Sequence, residues 1–273
     1  MRTDSDFEMT TPLIGMVHLP ALPGSPGFAG DREAIRDRAR ADAQALVDAG
    51  FDALLVENYG DIPFYPETVP EYVVAELTAV VTDVHRAVDS PVGVNVLRND
   101  AQAALSVAAA TDSDFIRVNV HTGVRSTDQG IVEGRAHETL RFRERIDSDV
   151  RIFADVAVKH AAALAERDIE ALARETVERG LADGLVVSGP ETGTPADESR
   201  LKRVRSACNA ADTDVPVFVG SGVTAENAES LLNLADGAIV GTALKYAGVT
   251  ENPVDPERAR NVVKAVRGDE TGQ

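Results

Sequence analysis

At 273 residues, with a formal charge of −18 and a pI near 4.6, the chain offers no general surface for nucleic acid or anionic membranes. Its 44% hydrophobic content suffices for one large α/β core or two small ones, and no apolar run approaches the ~20 residues of a membrane-spanning helix. Acidic residues number 45 while lysine occurs only at Lys159, Lys202, Lys245 and Lys264, a balance that high salt would screen, so we expect a salt-loving source and a fold that loosens at low salt.

Residues 1–10 are polar and acidic and read as a disordered tail rather than a signal peptide. Strand-like and helix-like runs then alternate to residue 268, with a second short tail at 269–273. The first strand, 13–19, runs into the Pro/Gly loop 20–30 and a helix at 31–49. The second strand, 53–58, is followed by a long loop to Pro70 and a helix to 88. The third, 92–97, precedes a helix at 101–109. The fourth, 115–120, leads through a polar stretch at 122–134 to a helix at 135–146. The fifth and sixth, 151–158 and 184–188, precede helices at 166–179 and 198–211. The last two strands end in Gly220-Ser221-Gly222 and Gly241-Thr242, with helices at 225–234 and 255–266.

The strands are β-branched and almost continuously apolar, as strands buried on both faces are. Eight β/α units without a linker point to a single (β/α)8 TIM barrel over 11–268, in preference to a doubly wound open sheet. Glycines end two helices at Gly50 and Gly180, and Pro91 and Pro216 sit at strand starts. The loop 61–70, with Phe64 and Tyr65 between prolines, suits a lid or a contact in a homo-oligomer. The stretch 122–134, with three glycines, reads as a mobile cover. Cys208 is the sole cysteine and reads as a packing residue, which fits a reducing cytoplasm.

Barrel chemistry sits at the C-terminal strand ends. There the chain carries His18, Glu57, Asn95, Arg98, Arg117, Asn119, His121, Asp155 and Lys159. Buried strands do not accept such groups without partners or purpose. Alternation puts Arg117, Asn119 and His121 on one face, and Asp155 and Lys159 on another. Each has a bland counterpart: Asp155 pairing Arg117 to neutralise a layer, His18 bonding a loop carbonyl, Glu57 pairing an arginine. The Gly-rich ends of the last two strands, Gly220, Ser221, Gly222, Gly241 and Thr242, expose backbone N–H groups. In barrels of this kind such loops commonly hold phosphate. The sixth strand end adds Gly189 and Thr192. No HExxH or His-x-His spacing marks a metal site, and neither GxGxxG after the first strand nor a P-loop is present. The reading therefore has no cofactor, only inorganic phosphate as co-substrate, while His18, Glu57, Asp155 and His121 stay open as mixed N/O ligands of a metal.

The segment Ile14-Gly15-Met16-Val17-His18-Leu19-Pro20-Ala21-Leu22-Pro23-Gly24-Ser25-Pro26 resembles the opening of the BtpA/SgcQ family. Residues 52–61 (DALLVENYGD), 93–100 (GVNVLRND) and 115–119 (FIRVN) match as well, as do the two glycine loops. The resemblance implies a β/α barrel. The family takes its name from photosystem I biogenesis, other members sit beside sugar metabolism, and members from salt-loving archaea are associated with nucleoside and pentose-phosphate breakdown. The acidic composition selects that last branch. It implies a nucleoside phosphorylase; among the strand-end residues, Asp155, Glu57, Lys159 and His121 are then the catalytic candidates by their chemistry. His18, Asn95, Arg98, Arg117 and Asn119 would bind substrate. Two other readings stand beside it: a phosphosugar aldolase or isomerase using Lys159 as Schiff base, and a non-enzymatic assembly factor.

Overall fold

In the computed structural model the described residues are 11–157, 162–163, 167–189, 197–210 and 213–268. Eleven strands occur among them: β1 Leu13–His18, β2 Ala53–Glu57, β3 Val92–Asn95, β4 Phe115–Val118, β5 Val124–Thr127, β6 Gly130–Glu133, β7 Arg151–Ala157, β8 Ala162–Ala163, β9 Gly184–Ser188, β10 Val217–Gly220 and β11 Gly237–Val240. Eight of them close a parallel barrel in the order β1-β2-β3-β4-β7-β9-β10-β11, with β11 returning to β1. The expected TIM barrel is therefore the fold. Its helices are α1 Arg32–Ala49, α2 Glu71–Ala87, α3 Ala101–Ala110, α4 Ala136–Arg145, α5 Ile169–Glu178, α6 Glu198–Ala210, α7 Ala228–Leu232 and α8 Pro256–Arg267.

Local chemistry sets the helix limits. Asp31, Asp100, Asp168 and Asp255 accept backbone N–H bonds at the starts of α1, α3, α5 and α8. Gly50, at φ 96°, closes α1 in the left-handed region that a residue with a Cβ avoids.

A repeated device anchors the strand starts. Asp52, just before β2, accepts Leu13 N–H of β1 at 2.8 Å. Asp114 before β4 accepts Val92 N–H of β3 at 2.8 Å, and Asp183 before β9 accepts Ile152 N–H of β7 at 2.8 Å. Asp236 before β11 accepts Val217 N–H of β10 at 2.9 Å. Each carboxylate thus satisfies the N-terminal donor of the preceding barrel strand, which would otherwise lack a ladder partner.

The barrel floor is aromatic. Phe115 stacks on Phe153 with centroids 4.8 Å apart, and Phe153 on Phe218 at 4.9 Å. Gly93 and Gly184 leave the space: a Cβ at Gly93 would lie 2.2 Å from the Phe115 ring, and one at Gly184 2.6 Å from that of Phe153. Large and small residues on neighbouring strands therefore fill the interior as a packed core rather than a pore.

Two sequence expectations need correction. The stretch 122–134 is not a cover without secondary structure: β5 and β6 pair as an antiparallel hairpin, and β8 adds a third strand on β5. Its turn is set by Thr127, whose hydroxyl donates to Gly130 O at 3.0 Å and accepts Gln129 N–H at 3.2 Å, with Gly130 at φ 101°. The helix expected at 225–234 is only α7 Ala228–Leu232, so the Gly220–Gly222 loop does not open directly into a helix. Asn227 instead ties the intervening turn, accepting Thr224 N–H at 2.8 Å and donating to Gly222 O at 2.8 Å. The short segments 1–10 and 269–273 lie outside the described residues.

Candidate active site

Directly above the phenylalanine layer the inward positions turn polar: His18 from β1, Glu57 from β2, Asn95 from β3, Arg117 from β4, Asp155 from β7 and Ser188 from β9. The same two-residue period that places Phe115 and Phe153 inside places Arg117 and Asp155 above them. All six are buried.

Arg117 and Asp155 form a two-pronged pair, Nε donating to Oδ1 at 3.0 Å and Nη2 to Oδ2 at 3.0 Å. Nη2 also donates to Ser188 Oγ at 3.3 Å. Burial works against the guanidinium charge, but Asp155 and, more weakly, Glu57 outweigh it and raise the Arg117 pKa. Gly220 makes this cluster possible, because a Cβ there would sit 2.7 Å from Val186 Cγ1 and 3.1 Å from Ser188 Oγ. On the opposite wall His18 Nε2 lies 3.7 Å from Glu57 Oε1. Tyr59 leans on the His18 ring with centroids 5.0 Å apart. Asn95 Nδ2 donates to Arg117 O at 2.9 Å and to Asn119 Oδ1 at 3.0 Å, joining β3 to β4.

Between the ends of β10, β11 and β1 lies a cavity of about 140 Å³. Ser221, Gly222, Val223 and Thr224 form one wall and Gly241, Thr242 and Ala243 the other, with His18 and Arg117 reaching in. Ser221 and Gly222 both hold positive φ, 79° and 68°. Gly241 faces His18 so closely that a Cβ would be 3.0 Å from its Cε1. The volume falls well short of the ~300–1,000 Å³ of a drug-sized pocket and suits one small charged group. Thr242 Oγ1 pairs with Thr250 Oγ1 at 2.8 Å, and Thr250 neighbours the Tyr59 hydroxyl, whose pKa burial raises. The Gly241–Thr242 turn thereby lies against the end of β2.

Other sequence candidates fall elsewhere. His121 lies past the end of β4, where strand alternation no longer holds, and its Nε2 meets Gly180 O at 2.8 Å. Burial lowers its pKa, so the imidazole is held neutral. Arg98 donates from Nε to Gln129 Oε1 at 2.8 Å and covers the Phe64 ring at 5.0 Å, joining the loop after β2 to the β5–β6 turn. Gly189 is buried beside the end of β9. Lys159 and Thr192 lie outside the described residues, and the register shift between Asp155 and Ala157 interrupts the alternation that linked Asp155 to Lys159. Cys208 is buried on α6, and burial raises its thiol pKa. Among the described residues no three or more His, Cys, Asp or Glu side chains gather to hold a metal ion, and no helix is long and apolar enough to cross a membrane.

Sequence reasoning passed over Ser188, Tyr59 and Thr250 as site residues. Ser188 is the inward residue at the end of β9, so strand alternation could have found it. Tyr59 and Thr250 meet across the mouth from distant loops, a proximity that spacing does not reveal.

Comparison with known proteins gives a consistent family. The pattern described as the BtpA family matches residues 9–268. An uncharacterized protein of Thermococcus kodakarensis is 49% identical over 262 residues, spanning 96% of this chain and 97% of that protein. The photosystem I biogenesis protein BtpA of Synechocystis is 44% identical over 260 residues, spanning 95% of this chain and 89% of its own length. Among solved structures, tryptophan synthase of Mycobacterium tuberculosis superposes with a TM-score of 0.62 at 20% identity, covering 94% of this chain and 93% of that one. That likeness concerns the fold.

Proposed function

The chain belongs to the BtpA family, and we propose that it is a phosphate-dependent enzyme acting on a ribosyl compound, most concretely a nucleoside phosphorylase. The carrying observation is the small cavity walled by Ser221–Thr224 and Gly241–Ala243, with His18 and Arg117 reaching into it. It supports a site for one phosphate at the ends of the last two barrel strands. The step from phosphate to nucleoside rests on the family association of its salt-loving members.

In this reading inorganic phosphate sits in the cavity and one of its oxygens attacks the anomeric carbon of the ribose. The C–N bond to the base breaks, its electron pair leaves with the base, and the base takes up a proton. Ribose 1-phosphate and free base result. Arg117 supplies positive charge at the cavity wall, and Asp155 and Ser188 fix its plane. Glu57, 3.7 Å from His18, binds ribose hydroxyls in this reading, and the pair relays a proton toward the leaving base. Asn95 and Asn119 complete the polar wall next to Glu57. The phosphosugar aldolase alternative needs Lys159, which lies outside the described residues.

A second reading has one observation of its own, the name of the Synechocystis relative: an assembly factor that keeps a barrel without turning over a substrate. One experiment separates them. Release of free base from a nucleoside panel is followed in molar potassium chloride with and without phosphate, with Asp155→Asn as control. Phosphate-dependent release that the variant loses supports phosphorolysis, whereas no release from any nucleoside discards it.

A further inference from the structure

Lys245 is the one lysine among the described residues with no solvent exposure at all, 0%. It follows directly on the Thr242–Leu244 turn that walls the cavity, and its backbone N–H closes that turn on Thr242 O at 3.1 Å. Its side chain runs beneath the turn to two other elements. Nζ donates to Met16 O of β1 at 3.1 Å and meets Asp42 Oδ2 of α1 at 3.4 Å. Asp42 in turn accepts Val254 N–H at 2.7 Å and Arg38 Nε–H at 3.0 Å. One buried ammonium therefore joins the turn of β11, the β1 segment whose Met16 and His18 line the cavity, and the loop that leads to α8.

An ion pair buried this deeply is an uneconomical stability device, since a well-packed apolar pair of similar volume is often equally stable or better. What an apolar pair cannot supply is directional hold on the Met16 carbonyl and on the turn above it. We propose that Lys245 is a positioning residue of the phosphate site, its bonds to Met16 O and Asp42 setting the spacing between the Gly241–Thr242 turn and His18. This inference rests on the phosphate-site reading and names what keeps that site in register. The charged groups around the amine are Asp42 and Arg38 on α1, with Asp255 and Arg258 at the start of α8 beside the same turn; β1 contributes only the Met16 carbonyl. Burial pushes the amine down to about 8, with Asp42 opposing and Arg38 reinforcing the shift. Above that pH the ammonium attraction to Asp42 is lost, and the turn loses part of its anchor.

The test uses the full-length protein with inorganic phosphate as the probe, in calorimetric titration and in the phosphorolysis assay. Lys245→Met and the charge-free pair Lys245→Met/Asp42→Asn are compared with wild type. The expected result is a tenfold or greater rise in Kd and KM for phosphate in both variants, with kcat at saturating phosphate within threefold of wild type. Wild type should also lose phosphate affinity as pH passes through about 8, a step that the double variant lacks. A folded double variant that binds phosphate as wild type does overturns the positioning role. A pH profile identical in wild type and double variant overturns it even if the single variant fails to fold. Wild type that binds no phosphate at all overturns the phosphate-site reading, and this inference with it.

Discussion

Asp155→Ala is the most searching single change, because it removes one half of a pair whose side chains are 3% and 0% exposed. Two hydrogen bonds of 3.0 Å, each between charged groups, disappear, and Arg117 keeps the hydrogen bond to Ser188 at 3.3 Å and the weaker attraction of Glu57. Bonds of this kind contribute about 1.5–3 kcal/mol each, and stripping a buried pair of one partner costs about 3–5 kcal/mol in all. Urea unfolding in molar potassium chloride should show that loss as a lower midpoint with unchanged slope. Because the stranded guanidinium borders the cavity proposed to hold phosphate, added phosphate should recover more stability in the variant than in wild type. The double variant Arg117→Met/Asp155→Leu should regain most of the lost stability but show no such response to phosphate. A cost below about 1 kcal/mol would contradict the buried-pair argument. A double variant as unstable as the single one would locate the damage in packing instead.

Gly241→Ala should raise the phosphate KM about tenfold with little change in kcat, because the new methyl lies 3.0 Å from His18 Cε1 and must displace the ring or the turn; steady-state kinetics with varied phosphate reads this. An equal KM would mean that His18 does not border the bound anion. His121 is held neutral by burial when folded but takes a proton near pH 6.5 when unfolded, so the unfolded state binds more protons and stability falls as pH drops below that value. His121→Gln should flatten this part of the stability–pH curve, as thermal melts between pH 5 and 7 would report. Asp114→Ala, at the opposite end of the barrel, should cost about 1–3 kcal/mol by stranding Val92 N–H while the proposed turnover of the folded protein is unchanged. With a formal charge of −18, the melting temperature should climb with potassium chloride, and a salt-independent value would refute the self-repulsion argument.

The barrel was legible because its evidence is periodic. Eight apolar runs of β-branched residues alternate with helices, and the residues that break the apolar runs at their C-terminal ends are those that gather above Phe115, Phe153 and Phe218. Arg117 and Asp155 were found by period alone, and even the bland reading of their pairing describes a bond the structure contains. His121 lies three residues past the end of β4, where the backbone no longer alternates, so the same rule placed it wrongly on the face of Arg117. The β5–β6 hairpin was missed because its strands have four residues each, its outer face mixes Val124 and Ile131 with Ser126 and Glu133, and only Arg125 and Val132 are buried. Lys245 and Asp42 are 203 positions apart, and nothing in local spacing links them.

The two ends of the barrel use one residue type for opposite purposes. Asp52, Asp114, Asp183 and Asp236 stand one position before a strand and accept the first free N–H of its neighbour; Asp52, Asp183 and Asp236 also meet Arg267, Arg143 and Arg205 in turn. Asp183 and Asp236 are partly reached by water, so their charge is inexpensive, while the buried Asp52 carboxylate is balanced by Arg267; the geometric work of all four is fixed by the closed register. Asp155 stands inside the barrel, where a carboxylate is stable only because Arg117 opposes it. A pair that is merely structural could equally be two apolar residues, as on the floor below. Its retention one layer up, with Arg117 bordering the cavity between the β10 and β11 turns, argues that the pair is there for its charge and its orientation.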